Sequence, residues 1–180
     1  MIEIPTFDIT NTLPWSGIVI HHSATPDSKL NNWEGIRKYH TSWRYNDDII
    51  TQEKGENLIA NGDLRVLKPW AAIGYNFGLE RIGDALQVMT GRSLSMVGAH
   101  AKGFNHTHIG VCIVGDFDKA PPAEDVWEMA VKLIRNIMYA YRLSHTAILG
   151  HRETFKVRNV PVEKTCPGEK FEMESFRQSL

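Results

Sequence analysis

Apolar residues gather into short runs along this chain, and several of the runs break off abruptly into polar ones. GIVIHH at 17–22 reads as a buried strand that carries His21 and His22 to its C-terminal end. Asn31 or Asn32 then caps a helix in which Trp33, Ile36, Tyr39, His40 and Trp43 recur every three or four residues, ending near Arg44. Residues 44–70 are polar, with NDD, EKGEN and ANGD clusters that predict turns around a short hairpin or an extended surface loop. YNFGL at 75–79 and ALQVM at 85–89 read as two strands joined by RIGD, and IGVCIV at 109–114 as a strand buried on both faces. After Pro121 and Pro122, the stripe Val126, Ala130, Leu133, Ile134, Ile137, Met138 and Tyr141 marks a long amphipathic helix. A short strand, AILG at 147–150, delivers His151, and a last helix is expected over 169–178. Strands and helices therefore alternate, with one hairpin among them. The fold class that follows is α/β, a mixed central sheet flanked by helices, in a single domain spanning 1–180.

Bulk composition narrows the function without naming it. The 180 residues include 20 basic and 21 acidic side chains, a net charge of -1, which argues against an electrostatic hold on nucleic acid or anionic lipid. No run approaches the roughly 20 apolar residues of a membrane-spanning helix, so no membrane partner is expected. The first fifteen residues carry acids and lack a basic stretch followed by an apolar block, so they do not read as a secretory signal, and synthesis in the cytoplasm is expected. A chain of this kind with two cysteines is expected to hold free thiols or a metal ligand rather than a disulfide.

The polar residues that invite a chemical reading stand where apolar runs stop. His21 follows GIVI, His151 follows AILG, and Cys166 sits in the turn-like KTCPG. Two imidazoles and a thiolate suit zinc, and three protein ligands leave a fourth position for water, the arrangement of a catalytic site. The resulting site charge, near +1, favours acidified water. Spacing alone does not select these three among 8 histidines and 2 cysteines. His40, His106, His108 and His145 read as hydrogen-bonded or surface histidines, and Cys112 as a small buried hydrophobe. Strand neighbours point to opposite faces, so only one of His21 and His22 can reach a shared site.

Several segments together resemble the type 2 N-acetylmuramoyl-L-alanine amidases, a family that includes the T7-type phage lysozymes and the peptidoglycan recognition proteins. They are IVIHHSAT at 18–25, IGYNF at 73–77, GAHAKGFNHTHIGVCIVGDF at 98–117, GHRE at 150–153 and KTCPG at 164–168, and they occur in the family's order. The matched core covers about 17–170. The resemblance implies a zinc ion, one per chain, on His21, His151 and Cys166, with Tyr75 and Lys164 as catalytic residues. It also implies hydrolysis of the amide between N-acetylmuramic acid and L-alanine in peptidoglycan, as in a phage or prophage endolysin acting on the cell wall, and a monomer. His100, Lys102 and Asn105 are expected to hydrogen-bond stem peptide or sugar. The alternative is a recognition module that binds peptidoglycan without cutting it; in such relatives the cysteine ligand is typically replaced, whereas Cys166 is present here. T7-type relatives also bind and inhibit a phage RNA polymerase, an activity for which no residue here argues. In the muropeptide-recycling relatives a glutamate stands in the strand where this chain has Cys112, which leaves the proton shuttle unassigned.

Overall fold

The computed structural model describes residues 9–25 and 32–180. Gly17–His22 (β1) forms as the apolar run predicts, and so do Phe77–Ile82 (β4), Ala85–Thr90 (β5), His108–Ile113 (β6) and Ile148–Gly150 (β7). They make one sheet in the order β5-β4-β6-β1-β7. Only the β4–β5 hairpin is antiparallel; β4, β6, β1 and β7 run parallel. Parallel strands need cover on both faces, and the register shows how this sequence supplies it.

Ile18 and Ile20 of β1 lie beside Ile109 and Val111 of β6, and Phe77 and Leu79 of β4 join them on that face. Against it packs the long helix Glu124–Tyr141 (α3), whose Leu133, Ile134 and Ile137 are completely buried. Acidic Glu124 and Asp125 occupy its first turn, where the helix dipole favours them, and Arg142 closes it in the left-handed conformation at φ 53°. The last helix, Met173–Gln178 (α5), adds Met173 and Phe176 to the same core and is shorter than the 169–178 expected.

On the opposite face Val19, His21, Gly110, Cys112 and Gly78 succeed one another across the strands. Helix Trp33–His40 (α1) covers part of it. A side chain at Gly78 would stand 2.3 Å from the Trp33 ring, so glycine there is what lets the helix lie close. Asn32 caps α1 by accepting the Gly35 N–H at 2.8 Å; Asn31 lies outside the described residues.

Three expectations are corrected. The first helix stops at His40, not near Arg44: the Thr41 hydroxyl returns to the Arg37 carbonyl at 2.9 Å, and Trp43 and Arg44 enter a small strand, Trp43–Tyr45 (β2). That strand pairs with Asp48–Ile50 (β3) through Asn46 and Asp47, at φ 49° and 68°, the two left-handed residues of a tight hairpin. The remainder of 44–70 is not all loop, because Gln52–Ala60 (α2) is a helix capped by Thr51. Its mid-helix Gly55 reads as a turn residue, yet it is what lets Trp43 pack, since a Cβ there would be 2.4 Å from that ring. Finally, the hairpin strand β4 continues through Arg81 and Ile82, leaving only Gly83 and Asp84 as its turn. Among the described residues no helix is long and apolar enough to cross a membrane.

Candidate metal centre

Because β1 and β7 are parallel neighbours with Ile20 opposite Gly150, the residues that follow each pair point into the same space. They are His21 and His151, the latter opening the short helix His151–Val157 (α4), whose main-chain start is held by the Glu153 carboxylate accepting the Gly150 N–H at 2.7 Å. The two imidazole centroids are 4.6 Å apart. Cys166 arrives on the loop after α4. His151's neighbour Arg152 holds that loop: its guanidinium donates to the Thr165 and Phe171 carbonyls at 3.0 and 2.8 Å and also to that of Gly168, while its N–H donates to the Cys166 carbonyl at 2.7 Å. Asp118 braces the loop's other side, accepting from the Thr165 hydroxyl at 2.9 Å and the Glu169 N–H at 2.8 Å.

One donor atom from each of His21, His151 and Cys166 lies within 4.8 Å of the others. Cys166 Sγ and His21 Nδ1 are 3.6 Å apart. Zinc–nitrogen and zinc–sulfur bonds of about 2.05 and 2.3 Å at tetrahedral angles place N and S about 3.6 Å apart. The donor set therefore fits zinc in both type and separation. Burial, and then the neighbouring His100 and His151, hold His21 well below the usual imidazole range. Burial followed by Lys164 brings His151 down to about 4. Both rings are neutral at pH 7 and able to donate a lone pair. Burial pushes the Cys166 thiol up to about 12, against the opposing pull of the His22 N–H and Lys164, so the thiolate forms only with a cation beside it.

His22, one residue on, faces the α3 side as strand alternation requires. Its Nδ1 accepts the Phe117 N–H at 3.1 Å, and its Nε2 lies 3.9 Å from Asp118. His22, Asp116 and Asp118 also bring donor atoms together. Yet a neutral imidazole that accepts at Nδ1 carries its proton on Nε2, and Asp116 is engaged by Lys119 at 2.8 Å, so this group is a strut beneath the Cys166 loop.

Tyr75 stands just before β4. Its carbonyl accepts the Arg92 N–H at 2.8 Å, and the adjacent Asn76 bridges to Gly110 with both its main chain and its side chain. The phenol ring lies 5.0 Å from the His21 ring. Burial, and after it the Cys112 and Cys166 sulfurs, raise the phenol well above 10, so it is a proton donor at neutral pH. Lys164 is exposed, and its charge is felt at His21, His151 and Cys166. Cys112 sits opposite His21 in the β1–β6 register, its thiol pushed well above 9 by burial.

His40 packs against Trp70 and Tyr75 with ring centroids 4.5 and 5.7 Å away, and its Nδ1 accepts the Gly74 N–H at 3.2 Å. Burial, then Arg44 and Arg92, lower it to about 4. Between pH 6.5 and 4 the unfolded chain takes up a proton at this residue that the folded one refuses. Its contribution is intact above pH 6.5 and is lost as pH falls toward 4, on the order of 3 kcal/mol at most. We expect urea unfolding of metal-free protein to show a smaller loss of stability from pH 7 to 4.5 in His40→Gln than in the unsubstituted chain.

His100, Lys102 and Asn105 share one wall of a groove of roughly 450 Å³, with Trp70, Val97 and His106 also lining it. The side-chain oxygen of Asn105, Oδ1, is committed to the loop itself, accepting the His100 and Ala101 N–H groups at 2.8 Å each. Both ring nitrogens of His100 are likewise used within the protein, on His21 and on the His108 carbonyl, each at 3.0 Å. A substrate hydrogen bond from the His100 ring would therefore have to replace one of these two contacts. A depression of about 700 Å³ on the α3 side brings no histidine, cysteine or acid together.

The N-acetylmuramoyl-L-alanine amidase family profile matches residues 11–169. The chain belongs to that family. Among the curated relatives, the endolysin of Escherichia phage T7 is 35% identical over 101 residues, which cover 56% of this chain and 48% of the endolysin. Peptidoglycan-recognition protein LB of Drosophila melanogaster is 28% identical over 152 residues, 84% of this chain and 53% of that protein. The chain thus spans about half the length of these curated relatives. Among solved structures, the N-acetylmuramoyl-L-alanine amidase LysC from Clostridium intestinale superposes with a TM-score of 0.59 at 19% identity, covering 99% of this chain and 93% of LysC, which shows the shared fold. Arg152 and Glu153, which stand beside His151 in GHRE and build the frame around it, carry no signal in the spacing of the sequence that sets them apart.

Proposed function

We propose that this chain hydrolyses the amide between the lactyl group of N-acetylmuramic acid and L-alanine in peptidoglycan, with zinc on His21, His151 and Cys166. The observation that carries the reading is the meeting of those three donors at the ends of β1 and β7 and on the clasped loop, beside Tyr75 and Lys164. When bound there, zinc supplies a Lewis acid that polarises a carbonyl and acidifies water.

The chain's own groups do the rest. Tyr75, kept protonated by its surroundings, donates a hydrogen bond to the carbonyl oxygen as negative charge develops on it. Lys164 holds a fixed positive charge on the solvent side of the same oxygen. Cys112, where some relatives keep a glutamate, is a protonated thiol and so does not act as a base. The groove bearing Lys102, the Asn105 amide N–H groups and Trp70 receives the stem peptide and glycan.

The endolysin relatives support a wall-degrading role, with the cell wall as the place of action and peptidoglycan as the partner. Digestion of purified sacculi followed by mass spectrometry tests this reading. Lactyl-terminated glycan and stem peptides with a free L-alanine amino terminus are expected. Tight binding with no bond cut would replace the proposal with the recognition-module reading that the peptidoglycan-recognition relatives keep in view.

A further inference from the structure

We propose that His100 is a positioning residue, which fixes the proton of His21 on Nε2 and so presents Nδ1 as the metal donor. The inference rests on the metal reading above. It starts at a main-chain carbonyl. His100 Nε2 lies 3.0 Å from the His108 oxygen, and since a carbonyl only accepts, that nitrogen carries the proton. Among the described residues no carboxylate forms an ion pair with His100, and its one ring proton is already spent on the His108 carbonyl, so its other nitrogen, which meets the His21 ring edge to face, is a lone pair. His21 Nε2 lies 3.0 Å from that lone pair and must donate to it. The lone pair of His21 is thereby left on Nδ1, the atom 3.6 Å from Cys166 Sγ. A carbonyl of β6 thus selects the ligand atom of β1 through one intervening ring.

The intervening ring is held firmly. The Asn105 side chain grips its main chain. A Cβ at Gly110 or Gly98 would come within 2.5 or 2.7 Å of the His100 Cδ2, so both glycines leave the slot the ring occupies. His21 and His100 meet edge to face, at 87° with centroids 5.1 Å apart. A partner on the far nitrogen of a ligating histidine fixes the tautomer and ring orientation and raises donor strength, and losing it commonly weakens metal binding about 10- to 100-fold.

Two measurements test this. In metal-free protein labelled with 15N-histidine, the proposal requires protons on Nε2 of both His21 and His100, with a scalar coupling across the hydrogen bond between His21 Nε2 and His100 Nδ1. A proton on Nδ1 of either ring overturns it. Zinc affinity, measured by competition with a chromophoric chelator, should fall about 10- to 100-fold in His100→Leu and be largely restored in His100→Asn, whose carbonyl oxygen can accept from His21. Unchanged affinity in His100→Leu, or equal losses in the two variants, also overturns it. If the unsubstituted protein takes up no zinc, the metal reading fails, while the nitrogen spectrum still decides whether the proton relay exists.

Discussion

Cys166→Ala is expected to abolish stoichiometric zinc and the release of stem peptides together. The substitution removes the only anionic donor among the three and leaves two neutral imidazoles, His21 and His151. Without the cation, polarisation of the carbonyl worth several kcal/mol disappears, so turnover should fall by at least about three orders of magnitude. The fold should survive, because the loop is held by Arg152, Asp118 and main-chain contacts and not by the sulfur. Metal analysis, a sacculus turbidity assay and a melting curve on one preparation check all three statements. A metal-free variant that still cuts would remove the assignment of these ligands.

Tyr75→Phe is the companion case, in which zinc content and folding stay and turnover falls on the order of a hundredfold or more. Phenylalanine keeps the ring against His21 and Trp33, at 5.0 and 6.3 Å, and loses only the hydroxyl. Since that hydroxyl is held protonated, what disappears is a donor to the developing oxyanion, and the loss should appear in kcat and not in KM. Lys164→Ala should act on the same oxygen, so the double variant is expected to lose less than the product of the two single effects. Retained turnover in Tyr75→Phe would leave the phenol as a groove wall.

Much of the architecture was legible because core burial writes a period into the chain. β1 is visible in GIVIHH, and α3 in a stripe whose members Leu133, Ile134 and Ile137 are all sealed against the sheet. Where one residue serves two elements, the pattern misleads. Trp43 continues the spacing of α1 yet belongs to β2, and Gly55, which looks like a helix breaker, makes room for it. The site was legible as polar residues at strand ends, but choosing among eight histidines needed the family segments. Alternation correctly set His22 apart from His21. The position of His100 could not be read, because it depends on the His108 carbonyl and on room left by Gly98 and Gly110, and main-chain direction has no signature in composition.

The clasp of Arg152 also divides the connection between two ligands into unequal parts. Residues 159–164 are exposed, whereas 165–171 are tied down carbonyl by carbonyl from the residue next to His151. The path length between His151 and Cys166 is therefore not what brings them together; a local latch does. Insertions or deletions early in that tether can be absorbed as slack, and His151 and Cys166 travel as one rigid unit that needs only His21 to meet it.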